Sequence, residues 1–306
     1  MKNTTLIGRL LSLRAVLSQT RDVICDRYGI TEAEAFERTQ AFIKDNSERW
    51  RLEEPNINYN DPFCRMAYLY MNVAVHATLV EQAFSSYPAI KSLIDRRTTA
   101  GSDLQICVLG GGPGSELLGI VRYIQRLNLN RTTHLDLVLV DRIKEWDESW
   151  HALKTGIDQQ LKINYGDDRG LWPVTISRSF LPLDMTNEAD FAYFATRFGQ
   201  IDMFLVCYLV SELKSSLESL ERVIDLLVSR SSPEVMILFI DRDEKDVREA
   251  VDHLISRNKL FRSQGLMEVR GRLEDNLEDL GEWYINLPSL PRQRWLAFFH
   301  LAKRVN

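Results

Sequence analysis

The residues with the clearest ligand-binding pattern form a glycine-rich turn between a predicted strand and a predicted helix. Gly110, Gly111, Gly112 and Gly114 fall within five positions of the segment ICVLGGGPGSE at 106–116. Glycine lets the backbone approach a ligand where a side chain would collide. The helix that follows offers free N–H groups and a partial positive charge, so the turn predicts a site for a carboxylate or a phosphate.

Acidic residues follow the next two predicted strands. HLDLVLVD ends in Asp141, and FLPLDMT contains Asp184 followed by Met185. A carboxylate can accept both hydroxyl hydrogens of a vicinal diol. Either acid alone could simply cap the end of a strand. Taken with the glycine turn, the two acids favour a ligand-binding role.

Alternating strands and helices from residue 104 onwards indicate a parallel sheet. Strands are predicted at 105–109, 135–141, 174–181, 201–208 and 235–241, and helices at 115–127, 145–162, 187–198, 212–230 and 243–257. A final antiparallel pair is predicted near 267–270 and 295–303. The expected fold is α/β and Rossmann-like, with a mostly parallel central sheet and helices on both faces. A helical extension is expected over 1–100 and the ligand-binding domain over 101–306.

Composition and charge restrict the classes of function. A net charge of −5 argues against a chain that coats nucleic acid. No apolar run approaches the roughly 20 residues of a membrane span, so no membrane role is expected. The four cysteines are scattered without a CxxC pair, which predicts no metal site and no disulfide framework. Cytosol or nucleus is expected, with a mitochondrial presequence as the alternative reading of the arginine-bearing first helix.

The spacing of the glycines separates two ligand classes. A dinucleotide site needs G-x-G-x-x-G, and Ser115 stands where its third glycine would be. No G-x-x-x-x-G-K-[ST] is present, which argues against a nucleoside triphosphatase. A dinucleotide oxidoreductase is therefore disfavoured.

A hydrophobic strand followed by G-x-G-x-G resembles the class I S-adenosylmethionine-dependent methyltransferases. Gly110, Gly112 and Gly114 match this pattern in order, and the resemblance covers roughly residues 104–303. It implies S-adenosylmethionine as the cofactor. Many members carry an acid two positions before the first glycine, where this chain has Val108. That difference leaves the contact to the methionine amine unexplained.

The same resemblance implies a role for each of the other candidate residues. Asp141 would bind the ribose hydroxyls, Asp184 the adenine amino group and Met185 the face of the adenine ring. The end of the fourth strand, with Cys207 and Tyr208, would form the floor of the methyl-donor pocket. Together with the four glycines, these are the predicted cofactor-binding residues. Glu116 is expected to compensate the helix dipole in the first helical turn.

The acceptor is less well defined by the sequence. The segment DMFLVCYLVSEL at 202–213 lacks the [DN]-P-P-[YF] of exocyclic-amine methyltransferases and the Pro-Cys of cytosine-C5 enzymes. Tyr208 and Glu212 are the candidate catalytic residues, with Glu212 as proton acceptor or as an acceptor-orienting group. The alternative is that Glu212 only begins the next helix. The helix from Asp61 to His76 is a second place where ligand contacts are expected. For His76 itself the preferred interpretation is a histidine packed in the core.

The run LGGGPGSELLG also resembles a loose group of eukaryotic methyltransferase-like proteins. That group is similar to fungal ribosomal RNA uridine methyltransferases and to mitochondrial ribosome-assembly proteins. With basic residues in 257–265, 290–295 and 302–304, it favours RNA as the acceptor, while a protein or small-molecule acceptor stays open. We therefore predict a methyltransferase of unassigned oligomeric state. The alternative is a methyltransferase-like binding or assembly protein without robust catalysis.

Overall fold

The computed structural model of the protein describes residues 6–49 and 57–305. Seven strands form one sheet. Their bounds are β1 Leu104–Leu109, β2 Thr133–Val140, β3 Val174–Leu181, β4 Met203–Cys207, β5 Met236–Arg242, β6 Phe261–Arg272 and β7 Arg294–Arg304.

The order across the sheet is β3-β2-β1-β4-β5-β7-β6. The first five strands are parallel, and β7 runs antiparallel to both β5 and β6. The chain reverses direction across the sheet at β1, which pairs with β2 on one side and β4 on the other. In open α/β sheets ligands bind at such a switch point, outside the carboxyl ends of the strands. The predicted Rossmann-like α/β fold is confirmed.

Helices cover both faces of the sheet. Their bounds are α1 Arg9–Tyr28, α2 Glu32–Arg49, α3 Pro62–Ser86, α4 Pro88–Ala100, α5 Ser115–Leu127, α6 Trp146–Tyr165, α7 Glu188–Tyr193, α8 Ala195–Phe198, α9 Leu209–Glu212, α10 Leu217–Arg230, α11 Lys245–Arg257 and α12 Glu282–Asn286. No helix within the described ranges has the length and apolarity of a membrane span.

Local sequence explains where the helices of the extension begin. Thr31 and Glu34 form the predicted capping box, with the Thr31 backbone N–H donating to the Glu34 carboxylate at 2.7 Å. Asp61 caps α3 by accepting the Phe63 N–H at 2.8 Å, and Pro62 occupies the first helical position. The predicted helical extension is therefore present.

Three predicted element bounds were wrong. The helix predicted over 187–198 is two short helices separated at Phe194, whose backbone leaves the helical region. The helix predicted over 212–230 begins at Leu217, after a separate short turn that Glu212 ends. β6 is longer than predicted and carries a bulge between Ser263 and Leu266, where Gly265 has a φ of +110°.

The extension shares one hydrophobic core with the sheet domain. Helix α3 is buried along most of its length against α5, and α1 packs against α6. Gly119 in α5 makes the first of these contacts close, because a Cβ there would lie 2.8 Å from the Val80 Cβ and closer still to the Ala77 carbonyl oxygen. The apolar sequence of α3 is explained by this burial.

The acidic excursion at 271–291 also joins this core. Trp283 is fully buried, and its ring packs at 4.7 Å against Phe36 of α2. Arg9 and Arg21 of α1 form ion pairs with Asp275 and Glu282 of the excursion, at 2.8 and 2.7 Å. This excursion fastens α1 to the sheet domain.

Candidate functional site

The glycine turn at the end of β1 has backbone angles that favour glycine. Gly110, Gly112 and Gly114 have φ values of +65°, +48° and +76°. The N–H groups of Gly110 and Gly111 both donate to the Val140 carbonyl, at 2.8 and 3.2 Å. The turn is therefore fixed to the end of β2, next to the predicted ribose ligand.

The four glycines of the turn divide into two pairs. Gly110 and Gly112 line a cleft at the carboxyl edge of the sheet, where their backbone is presented to a ligand. Gly111 and Gly114 face the protein interior instead. A Cβ on Gly114 would lie 2.5 Å from the Cζ3 atom of the buried Trp150 and closer to a second ring atom. The predicted contact role has a structural basis for the first pair, whereas the second pair makes close packing possible.

Asp141 lies at the centre of the cleft wall. Its two carboxylate oxygens accept separate backbone N–H groups, from Gly112 at 2.9 Å and from Ile143 at 2.8 Å. Burial raises the pKa of Asp141 to about 6 and the nearby Asp184 carboxylate adds to this, although both hydrogen bonds oppose the rise. Each oxygen keeps acceptor capacity for a ligand hydroxyl.

Asp184 and Met185 line the cleft beyond Asp141, as the sequence predicts. Asp184 accepts the Thr186 N–H at 2.8 Å and the Thr186 hydroxyl at 2.7 Å, both on the same oxygen. Its second oxygen has no such partner within the described ranges. Met185 is buried beside it and offers an apolar surface for a planar group. Hence one free carboxylate oxygen and one thioether side chain lie together.

The turn after β4 brings Tyr208 into the cleft in a strained conformation. Tyr208 has a φ of +55°, a left-handed value that costs a non-glycine residue about 1–3 kcal/mol. Its N–H donates to Ile240 at 2.8 Å, and its carbonyl accepts the Ser211 hydroxyl at 3.1 Å. Asp241 in turn accepts the Ser211 N–H at 3.1 Å. These bonds hold the backbone of Tyr208 in this conformation and so set the point at which its side chain enters the cleft.

Glu212 lies at the mouth of the same cleft. Glu212 is exposed to solvent at this point, although the protein around the cleft surrounds its carboxylate closely enough to disfavour the charged form. This environment, with the carboxylates of Asp141 and Asp241, raises the pKa of Glu212 to about 7. The ideal pKa for a general base lies near the working pH. Glu212 is the last residue of its short helix and does not begin the next one. Its position in the cleft suits proton transfer.

Aromatic residues of the extension form the opposite wall. Tyr59 and Tyr68 line the cleft together with Trp146 at the start of α6. Their ring centroids lie 5.5–5.7 Å apart in a three-membered cluster. The buried Arg65 fastens the loop that carries Tyr59 by donating to its carbonyl at 2.8 Å, and its guanidinium lies 6.0 Å from the Trp146 ring.

His76 supports Tyr208 from the side of α3. The two rings are stacked, with centroids 4.6 Å apart and planes 14° from parallel. Burial lowers the pKa of His76 to about 3, and the positive charges of Arg292 and Arg242 lower it further. A neutral imidazole with so low a pKa is a poor general base near neutral pH. The core reading of His76 fits its burial, although its partner Tyr208 lines the cleft.

Glu116 differs most from its expected role. It lies in the first turn of α5, but only 2% of it is exposed. Burial raises its pKa to about 7, so near neutral pH about half of the carboxyl groups are protonated and compensation of the helix dipole is only partial. It lies beside the thiol of Cys207, whose opposite side lines the cleft. The sequence shows only that Glu116 is an acidic residue near the start of a helix, and this pattern does not reveal that its side chain is buried.

Some cations of the basic segments near the C-terminus are paired within the molecule. Arg257 contacts Glu221 at 2.7 Å, and Arg304 donates to backbone carbonyls of Val228 and Ser231. These two cations are therefore less available to a phosphate backbone.

The comparisons with known proteins give a consistent set of folds. No protein-family model and no curated protein matches the chain. An O-methyltransferase family protein from Burkholderia thailandensis aligns at 12% identity over 90% of this chain and 72% of its own, with a TM-score of 0.48. Magnesium protoporphyrin IX methyltransferase from Synechocystis, solved with bound S-adenosylmethionine, aligns at 12% over 87% and 97%, with a TM-score of 0.36.

A third structure, the N-methyltransferase NodS from Bradyrhizobium japonicum in complex with S-adenosylhomocysteine, aligns at 9% identity. The alignment covers 87% of this chain and 99% of NodS, with a TM-score of 0.37. The name of one of these three proteins states a substrate, and the names of the other two do not. With every score below 0.5, these likenesses do not assign a function to the chain, and the function has to be inferred from the cleft.

Proposed function

We propose that the protein is an S-adenosylmethionine-dependent methyltransferase. The observation that carries the proposal is the convergence of Gly110, Gly112, Asp141, Asp184 and Met185 on one cleft, although they come from three separate strand ends. The sequence predicts that these residues contact different parts of one ligand. A nucleoside with an extended amino-acid chain needs all of these contacts at once.

The residues fit the cofactor part by part. Asp141, with acceptor capacity on both oxygens, would bind the ribose diol. The free oxygen of Asp184 would accept the adenine amino group, with Met185 against the ring. The exposed backbone of Gly110 and Gly112 leaves room for the amino-acid portion. The predicted dinucleotide alternative remains disfavoured, because buried Ser115 begins α5 where that motif needs a glycine.

When bound, S-adenosylmethionine supplies an electrophilic methyl group on a sulfonium sulfur. The chain itself contributes position and proton transfer. Glu212 would take the proton that the acceptor loses, because its raised pKa places it close to half ionised near neutral pH. Tyr208, held by its neighbours and stacked on His76, would fix the acceptor against the methyl group.

Ligand titration tests the binding half of the proposal. Isothermal titration should show binding of S-adenosylmethionine and S-adenosylhomocysteine and none of NAD. Asp141→Ala should weaken binding by about 1–3 kcal/mol, the usual loss when a polar partner is removed. Asp168→Ala is the matched control, because Asp168 also caps a turn through a backbone N–H, at 2.9 Å, but lies outside the cleft. Absence of binding by folded protein would refute the proposal.

Methyl transfer tests the catalytic half. Radiolabelled donor should label one fraction among RNA, protein and small molecules, and the rate should rise with pH through a value near 7. Glu212→Gln should remove that limb of the pH profile without changing donor affinity. A protein that binds the donor but labels no fraction would support the alternative, a methyltransferase-like binding or assembly protein.

RNA is the acceptor class that the motif-level resemblance favours, and it stays a proposal. The internal pairing of Arg257 and Arg304 reduces the cationic surface on which that reading partly depends. Labelling of the RNA fraction would restore it.

A further inference from the structure

A serine, a histidine and an aspartate lie together at the edge of the sheet, outside the cleft. Ser263 is at the bulge of the edge strand β6, His300 is on the neighbouring β7, and Asp252 is on α11. The Ser263 hydroxyl lies 2.8 Å from Nε2 of His300, and an Asp252 carboxylate oxygen lies 3.1 Å from Nδ1 of the same ring. None of the three lines the cleft, so methyl transfer leaves this group unexplained.

The imidazole of His300 is placed to accept a proton from Ser263. Burial lowers the pKa of His300, while the Asp252 carboxylate opposes this, so the ring is largely neutral near neutral pH. A carboxylate beside Nδ1 favours the tautomer that carries its proton there. The contact is off the line of a straight hydrogen bond, so Asp252 acts mainly through its charge. The lone pair of Nε2 then faces the Ser263 hydroxyl, which donates to it.

The bulge of β6 supplies a donor to the same serine oxygen. The Gly265 N–H donates to Oγ of Ser263 at 3.1 Å, and Gly265 has the φ of +110° that favours glycine. The buried phenol of Tyr87 fixes this backbone by donating to the carbonyls of Gly265 and Phe299, each at 3.0 Å. A fixed N–H aimed at the oxygen stabilises negative charge on it.

The surroundings of the serine indicate what could reach it. Ser263 is exposed, whereas His300 is buried behind it. Leu266 pairs directly with His300 across the antiparallel ladder and is 37% exposed. Paired side chains of this kind have Cβ atoms about 4.5–5.5 Å apart on one face of the sheet. An open site beside one aliphatic side chain suits a small apolar acyl group.

We propose that Ser263 is a nucleophile with His300 as its general base, and that this second site hydrolyses small esters. The inference does not depend on the proposed methyl transfer. Oγ would bond to the acyl carbon as the bond from that carbon to the alcohol oxygen breaks, and His300 would pass the serine proton to the departing oxygen. Water would then attack the acyl carbon through the same base, releasing the acid and restoring the Ser263 hydroxyl. Such constellations are recognised by their geometry and not by their order in the chain.

Covalent labelling of the full-length protein with an alkyl fluorophosphonate tests the nucleophile. Peptide mass spectrometry should place the phosphonyl group on Ser263, with loss of fluoride, and the protein should hydrolyse 4-nitrophenyl acetate. Ser263→Ala should abolish both reactions. His300→Gln should slow labelling of Ser263 by about 100-fold or more, the usual contribution of a general base.

Matched control variants come from α11. Ser256 and His253 are both exposed on that helix, and the Ser256 hydroxyl donates to the His253 carbonyl instead of to a ring nitrogen. Ser256→Ala and His253→Gln should leave the labelling of Ser263 unchanged. Circular dichroism establishes that each variant is folded, and the exposed position of Ser263 keeps its alanine variant informative even if His300→Gln unfolds.

Three results would overturn the proposal. The first is no label on Ser263 in the folded protein, and the second is equal labelling of Ser263 and Ser256, which would leave only a hydrogen bond between β6 and β7. The third is an unchanged labelling rate in folded His300→Gln. Asp252→Asn should slow labelling and move the imidazole proton, which the nitrogen-15 chemical shifts of His300 report; slower labelling with unchanged shifts would contradict the positioning role of Asp252.

Discussion

Substitution of Gly119 by alanine sets two opposing effects against each other. Alanine is favoured over glycine inside a helix by about 1 kcal/mol. The added Cβ would lie 2.8 Å from the Val80 Cβ, and reaching the 3.4 Å of ordinary contact requires α3 and α5 to separate by at least ~0.6 Å. Overpacking of this kind costs about 1–3 kcal/mol. The backbone carbonyl of Ala77 is closer still and cannot rotate away, so the upper part of that range applies.

We therefore expect Gly119→Ala to lower the free energy of unfolding by roughly 1–2 kcal/mol net. Gly156→Ala in α6 is the matched control. There the added Cβ would lie 3.3 Å from the Ala15 Cβ, a distance that a few tenths of an ångström relieve. The helix preference should then prevail, and the control should be neutral or stabilised by up to about 1 kcal/mol.

Urea unfolding followed by circular dichroism measures both variants. Gly119→Ala should also weaken S-adenosylhomocysteine binding, because α3 carries Tyr68 into the cleft. Gly156→Ala should leave that affinity unchanged. A Gly119→Ala protein as stable as its parent, or equal shifts for the two variants, would show that α3 and α5 are not held at the spacing described.

Three further changes have defined outcomes. Gly114→Ala should destabilise the fold by about 2–4 kcal/mol, because the position has a positive φ and the added Cβ would collide with the adjacent indole. Gly101→Ala is the control: its φ is +65° but the space around it is open, so only the smaller cost of the backbone conformation applies. Equal losses of stability in the two variants would contradict the packing described at Gly114. Burial raises the pKa of Glu116 from 4.5 to about 7, so the folded state holds an extra proton between those values and its stability falls as pH rises through them. Glu116→Gln should remove up to about 3 kcal/mol of that decline in unfolding titrations between pH 4.5 and 7, and an unchanged pH slope would refute the burial. Arg65→Met should speed dissociation of S-adenosylhomocysteine in stopped-flow measurements of tryptophan fluorescence, because the loop over the cleft loses its carbonyl bonds, whereas the exposed Arg38→Met should leave the rate unchanged.

Much of the fold and part of the site were predictable because they depend on local patterns. The period of the strands and the glycine spacing are local, and so is the acid that follows β2. Asp141 and Asp184 meet in one cleft because parallel strands end at the same edge of the sheet. Gly111 and Gly114 have the same residue type as their cleft-lining neighbours. Only the side chains packed against them identify their packing role, Val108 and Leu139 at Gly111 and Trp150 at Gly114.

The second wall of the cleft depends on long-range packing. Helix α3 is apolar nearly all round, so its sequence does not indicate which face meets the sheet domain. Tyr68 reaches the cleft because Gly119, on a helix later in the chain, lets α3 approach. Glu116 was misread because helix starts are usually exposed, whereas this helix begins inside the core.

The shared core of the extension and the sheet domain determines how the protein can be taken apart. Ion pairs from α1 to the excursion at 271–291 join segments more than 250 residues apart in the chain. Removal of residues 1–100 would strip the apolar faces of α5 and α6, and only the core on the other face of the sheet would keep its covering helices. The extension is thus not an exchangeable module. The aromatic side chains that it brings to the cleft can be transferred to another protein only together with the helices beneath it.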